Sequence, residues 1–248
     1  MSELIGKTSE NVYNGQFLRT FEGTYKAVVN RKEYIVPVHL VIHPNLSRRI
    51  VINVPGTRGE IDGYADKYKI LGHHIQSEGL SAVVRTGNNF DNYPADINLN
   101  AALIYAKQHA WEICGEPDPE ILLMGFSAGA SAIAARAHQH AEVRRILLGA
   151  PAKSIRGVNV KEGMSKFKGE VYIIIGDNDD NVGTDSGKTL YNWATAASHR
   201  ELFVLSDCDH QFRGEKNGRI ISQAPFYAFG IGEKPFFPDP EGGIKLYD

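Results

Sequence analysis

Short apolar stretches recur at 50–53, 81–85, 120–124, 145–148, 170–175 and 201–205, and their spacing constrains the fold more than any other feature. Each has strand length, and most read as near-continuous apolar runs, the pattern of strands covered on both faces. Stretches of helical character near 62–78, 96–114, 128–141, 184–197 and 218–229 separate them. Strands that alternate with helices imply a parallel sheet with helices on both faces. The chain opens differently. Tyr34, Val36, Val38, Leu40 and Ile42 alternate with less apolar neighbours, the period of a half-buried strand. Residues 30–32 form a hairpin turn from a preceding strand at 24–29. Pro37 inside the second strand points to an edge position, because proline lacks a ladder donor. The expected class is therefore α/β, a mostly parallel central sheet with antiparallel N-terminal strands. Nothing marks a boundary, so residues 1–248 are read as one domain with an irregular tail at 233–248. Prolines 235, 238 and 240 bar regular helix in that tail.

The junction of one strand with its helix carries chemistry. Ile121-Leu122-Leu123-Met124 runs into Gly125-Phe126-Ser127-Ala128-Gly129-Ala130, and a small-residue helix follows. G-x-S-x-G between a strand and a helix is the pattern of a nucleophile elbow. The turn is so tight that side chains must be absent on both sides of the serine. It raises the hydroxyl above the strand end and frees the next N–H to face an oxyanion. A serine hydroxyl also needs a base to take its proton, and that base needs an orienting acid. Two later strand ends supply candidates. Ile173-Ile174-Ile175-Gly176 leads into Asp177-Asn178-Asp179-Asp180, and Phe203-Val204-Leu205 leads into Ser206-Asp207-Cys208-Asp209-His210.

The order Ser, Asp, His, the elbow at Ser127, the spacing of Gly176, Asp179 and Val182, and the Asp209-His210 pair resemble an α/β-hydrolase over residues 20–232. That resemblance implies a triad of Ser127, His210 and Asp179, the acid standing three residues after the glycine. Asp177 and Asp180 sit on the same turn and stay open as alternatives. The resemblance also places an oxyanion loop after the strand at 50–53, at Pro55-Gly56-Thr57-Arg58-Gly59. Proline stands where the family usually has histidine, a change that bears on loop geometry rather than on the triad. The expected donors are the backbone N–H groups of Thr57 and Ala128. Arg58 stands beside this loop, either for an anionic substrate group or as a surface arginine paired with Glu60 or Asp62. The polar loop 86–93, with Asn88 and Tyr93, suits a sugar-like or otherwise polar substrate and equally suits plain solvation.

Other chemistries find no support. Asp plus Glu number 29 and Lys plus Arg number 27, so no basic footprint for nucleic acid or an anionic membrane exists. The first residues lack a signal-peptide core and no stretch has transmembrane length. Cys114 and Cys208 are too few for a disulfide framework, and a reduced cytoplasmic setting is expected. A calcium loop at 177–188 lacks its glycine and its glutamate, and Gly187-Lys188-Thr189 lacks the first glycine of a phosphate loop. No cofactor and no metal is implied, and nothing indicates an oligomer. The expected function is a serine hydrolase of carboxylesterase type acting on a small or medium polar ester. Segment 153–168, the only room for a cap, reads as an open polar loop. It leaves a shallow cleft suited to short acyl groups. A non-catalytic binding protein, an acyltransferase or a lyase on the same fold are the alternatives.

Overall fold

Backbone pairing rather than side-chain burial makes the first strand. β1 (Glu3–Tyr13) is exposed at nearly every residue, yet it pairs antiparallel with β2 (Gln16–Val29) from Glu3↔Lys26 to Tyr13↔Gln16. With no buried face it shows no period-two pattern, which is why the sequence reading began its strands only at residue 24. The computed structural model describes residues 3–13, 15–88, 93–231 and 245–246. The expected tail at 233–248 therefore lies outside the described residues, save 245–246. Contacts divide the chain into two compact units, Met1–Ile121 and Leu122–Asp248.

In the first unit, β2 turns into β3 (Lys32–His43) through Asn30 and Arg31, with φ of 51° and 66°. Two central residues of positive φ define a type I′ turn, which matches the twist of the strands it joins. β3 then pairs antiparallel with β5 (Ala82–Thr86), but only along Leu40–His43. Pro37 lies beyond that pairing, where among the described residues β3 pairs with β2 alone, so its missing donor breaks no second ladder there. β4 (Arg49–Val54) runs parallel to β5. The order in this unit is β1-β2-β3-β5-β4. Helices α1 (Lys67–Ser77), α2 (Ile97–Gln108) and α3 (Ala110–Cys114) complete it. The single helix expected at 96–114 is broken at His109, whose φ of −114° leaves the helical region.

A buried polar cluster braces this unit. Arg85 of β5 is 2% exposed. Its Nε donates to His43 Nε2 at 2.9 Å, and its Nη1 donates to the Ile61 carbonyl at 2.9 Å and to Asp62 Oδ1 at 2.5 Å. Gly72 of α1 is glycine for room here: a Cβ would lie 2.6 Å from His43 Nε2. Burial first, then the charge of Arg85 and the neighbouring His73, lower the His43 pKa from 6.5 to about 3. His43 is thus neutral in the folded chain and takes up a proton in the unfolded chain below pH 6.5. Stability from this group is full above 6.5 and is lost as pH falls toward 3, by up to about 1.4 kcal/mol per unit. His43→Gln keeps an acceptor for Arg85 but cannot titrate. Urea unfolding should show a shallower acid loss of stability in His43→Gln than in the unchanged protein. Equal slopes would mean that His43 is not a buried neutral group.

The second unit alternates strand and helix. β6 (Glu120–Phe126) enters it and leads to α4 (Ala128–Arg136), β7 (Val143–Gly149), α5 (Val160–Lys166) and β8 (Glu170–Gly176). α6 (Asp185–Trp193), β9 (His199–Leu205) and α7 (Glu215–Ala228) follow. The strand order is β6-β7-β8-β9, with β10 (Lys245–Leu246) antiparallel on the far side of β9. β7 with β8 and β8 with β9 are parallel. Their apolar runs, from Ile121–Leu123 to Ile173–Ile175, are buried with almost no exposure, as strands covered on both faces require.

One expectation needs correction. Segment 153–168 is not an open loop throughout, because it contains α5. Asn159 caps that helix by accepting from the Glu162 N–H at 3.1 Å, and Val160, Gly163 and Met164 are buried. A Cβ on Gly163 would lie 2.2 Å from the Ala134 carbonyl oxygen, so α5 packs backbone to backbone against α4. The short apolar set was hidden among charged neighbours, while the Asn159–Glu162 spacing was a readable capping signal.

Candidate active site

Ser127 stands between β6 and α4 with φ 50° and ψ −119°. A positive φ costs a non-glycine residue free energy that the surroundings must supply. They do so through the backbone: Ser127 N–H donates to the Gly149 carbonyl at 2.8 Å, and Ser131 N–H donates to the Ser127 carbonyl at 3.0 Å. Gly125 is required as well, since a Cβ there would meet Ile133 Cδ1 at 2.7 Å and Ala130 N at 2.8 Å. Ala128 opens α4, so its N–H is one of the first-turn donors that the helix itself leaves unpaired.

Ser131 was missed by sequence reasoning and belongs to this frame. Its hydroxyl accepts from Ala152 N–H at 2.9 Å and lies 3.0–3.1 Å from the Ala152 and Ser127 carbonyls. It ties the elbow to the segment after β7. The signal was present in the i, i+4 spacing of two serines at the start of a helix.

The ends of β8 and β9 bring the other two groups to the serine. Ser127 Oγ lies 3.0 Å from His210 Nε2, and His210 Nδ1 lies 2.8 Å from Asp179 Oδ2. The Asp179 side chain is fully buried and that of His210 is 16% exposed. The other oxygen of Asp179 accepts from the backbone N–H groups of Asn181 and Val182, each at 3.0 Å. Asp177 and Asp180, the alternatives on the same turn, are exposed. An anion held on one side by two N–H groups and on the other by imidazole fixes the ring. It also favours the tautomer with hydrogen on Nδ1 and a lone pair toward the serine.

Two further residues hold the histidine loop. Asp209 Oδ1 accepts from Gln211 N–H and Arg213 N–H, each at 3.1 Å, so the residue before the histidine shapes its turn. Cys208 lies beneath, its carbonyl accepting from Asn178 N–H at 3.1 Å and so joining the acid loop to the histidine loop. Burial, with Asp209, Asp177 and Asp179 nearby, pushes the Cys208 thiol up to about 12. It stays protonated at neutral pH and offers no competing nucleophile.

The remaining candidates lie in the first unit. Thr57 is exposed in a turn closed by Gly59 N–H on the Gly56 carbonyl at 3.0 Å, and Arg58 within it has φ 52°. Arg58, Asn88 and Tyr93 line one cavity of about 760 Å³ together with Glu60, Asp62 and Asn98. Asn88 is fully buried, and its amide donates to the Pro55 carbonyl at 2.8 Å, which gives it a loop-fastening part. The Tyr93 hydroxyl pairs with the Asn98 amide at 3.3 Å. Of the loop 86–93, residues 89–92 lie outside the described residues. Among the described residues no group of His, Cys, Asp and Glu is arranged to hold a metal, and no helix is long and apolar enough to cross a membrane.

No protein-family model and no curated protein sequence matches the chain. Solved structures do resemble it. Est1E from Butyrivibrio proteoclasticus aligns over 88% of this chain and 95% of its own, with TM-score 0.59 and 12% identity. An esterase from Pyrococcus furiosus aligns over 90% and 92%, with TM-score 0.62 and 15% identity. An alpha-beta serine hydrolase homologue from Coxiella burnetii aligns over 89% and 96%, with TM-score 0.57 and 18% identity. At such identities the likeness is one of fold.

Proposed function

On the α/β-hydrolase fold that this chain has, we propose a serine esterase that cleaves small or medium polar esters through an acyl-enzyme. The observation that carries this reading is the unbroken hydrogen-bond chain from Ser127 through His210 to Asp179. Ser127 Oγ bonds to the ester carbonyl carbon while its proton passes to His210 Nε2. Asp179 stabilises the imidazolium through Nδ1–H and remains an anion. The backbone N–H groups of Ala128 and Thr57 receive the oxyanion; a donor of this kind is worth about 2.7–4 kcal/mol of barrier. Collapse breaks the carbon–oxygen bond to the alcohol, which leaves with the proton from His210. Water then adds to the acyl carbon, giving its proton to His210. The bond to Ser127 Oγ breaks, the serine recovers its proton, and the carboxylic acid departs.

Short acyl groups suit this chain, because the segment available for a cap spends its helix α5 on packing against α4. A fluorophosphonate probe tests the nucleophile directly. The folded protein should form one adduct, on Ser127, and Ser127→Ala should form none. An unlabelled Ser127 in folded protein, or esterase activity that survives Ser127→Ala, would overturn the reading.

A further inference from the structure

The outer edge of β1 lacks the usual devices that keep a sheet edge from pairing. Those devices are short strands, prolines, bulges and unmatched charges, lysine above all. β1 is eleven residues long, holds no proline, and keeps one unbroken register with β2 from Glu3 to Tyr13. It ends the strand order of the first unit, and among the described residues no strand lies on its other side. Its three charged residues are matched within the hairpin. Glu3 stands opposite Lys26 and Lys7 opposite Glu22, while Glu10 stands opposite Arg19 and pairs with it at 3.3 Å. The edge therefore presents backbone donors and acceptors with no surplus charge to guard them. Ile5, Val12 and Tyr13 of the same strand are 60%, 73% and 41% exposed.

The strand is also complementary to itself. Two copies of one strand pair antiparallel about a two-fold axis normal to the sheet. Opposed residues must share a face, so the axis passes between one residue and its own copy. An axis at Lys7 or at Glu10 opposes like charges, and one nearer either end shortens the ladder. An axis at Thr8 sets Ile5 against Asn11 and Tyr13 against Glu3, apolar against polar. An axis at Ser9 removes these conflicts across residues 5–13. Ile5 then lies opposite Tyr13 of the second copy, whose ring is held by stacking on His73 at 5.1 Å. Val12 lies opposite Gly6 of that copy, where the Phe21 ring fills the room of a side chain: a Cβ on Gly6 would lie 2.5 Å from Phe21 Cζ. Lys7 lies opposite Asn11, whose Nδ2 donates to Thr20 Oγ1 at 3.4 Å and whose oxygen can accept from the ammonium. We propose that the chain forms a homodimer through β1, antiparallel and centred on Ser9, which joins two sheets into one. The pairing rests on the first unit alone and holds whatever reaction the Ser127 site performs.

Sedimentation velocity should show a mass that rises with concentration from that of one 27.4 kDa chain toward twice that value. Ser9 is exposed. Ser9→Lys and Ser9→Glu each set like charges directly opposite at the axis and should weaken the dimer about tenfold. Mixed in equal amounts, the two variants should pair with each other as tightly as the unchanged chain, because lysine then faces glutamate. On mild oxidation Ser9→Cys should cross-link to a covalent dimer faster than Thr8→Cys, the native Cys114 and Cys208 being buried. A chain that stays monomeric as concentration rises would overturn the proposal. So would a dimer that both charge variants leave intact, or variants that gain nothing on mixing. Faster cross-linking of Thr8→Cys would overturn the centre on Ser9.

Discussion

Asp179→Asn is expected to lower turnover by about ten-thousand-fold while the protein stays folded. The size of the effect follows from which way the new amide must face. Oδ1 of Asp179 accepts from two backbone N–H groups, those of Asn181 and Val182. An asparagine NH₂ turned toward them would set donor against donor in a buried site, so the amide oxygen must take that side. The NH₂ is then forced toward His210 Nδ1, where it donates. The imidazole is driven to carry its hydrogen on Nε2 and can no longer accept the serine proton. Ser127→Ala removes the nucleophile itself and should cost about a million-fold. Steady-state kinetics together with thermal melts measure both variants. Asp177→Asn and Asp180→Asn, on exposed groups, should stay within a few-fold of the unchanged protein. Near-full activity in Asp179→Asn, with loss in either of the others, would show the acid to be misassigned.

Gly176→Ala should destabilise the fold by about 3 kcal/mol, the upper end for overpacking a tight interior. A Cβ at Gly176 would lie 1.9 Å from the Cys208 carbonyl oxygen and 2.6 Å from its carbon. Both are backbone atoms, so no side-chain rotation relieves the clash and the two loops must part. Those loops carry Asp179 and His210, joined by the Asn178 N–H on that same Cys208 carbonyl. The melting temperature should therefore fall by roughly 6–12 °C, and turnover should drop with it as His210 moves from its acid. Gly218 in α7 makes a control of opposite sign: nothing lies within 4 Å of its Cβ position. Gly218→Ala should stabilise by up to about 1 kcal/mol through helix propensity alone. An unchanged melting temperature in Gly176→Ala would mean that the loops do not approach this closely.

Local pattern and distant partners divide what could be read here. The apolar runs at β6, β8 and β9 announced strands because covering both faces removes every reason for a polar residue. Gly125 and Gly129 around Ser127 announced the elbow, and at Gly125 the crowding that excludes a side chain is set by atoms within the next eight residues. The order of serine, acid and histidine along the chain was equally visible. β1 left no such mark: its pairing with β2 satisfies backbone groups, so a strand exposed at all but one of its eleven residues forms without a pattern. The resemblance favoured Asp179, three residues after Gly176, but left Asp177 and Asp180 open on the same turn. The contact that separates them is made by the fold: of the three, Asp179 is the buried one and has His210, thirty-one residues later in the chain, at its free oxygen. Arg85 looked like one residue of an apolar strand until folding set it between His43 and Asp62. Where an apolar run or a forced glycine records the surroundings, as in β6, β8, β9 and the elbow, the sequence by itself determines the element. Which buried charge meets which partner depends on packing between segments far apart in sequence, and that only the tertiary structure decides.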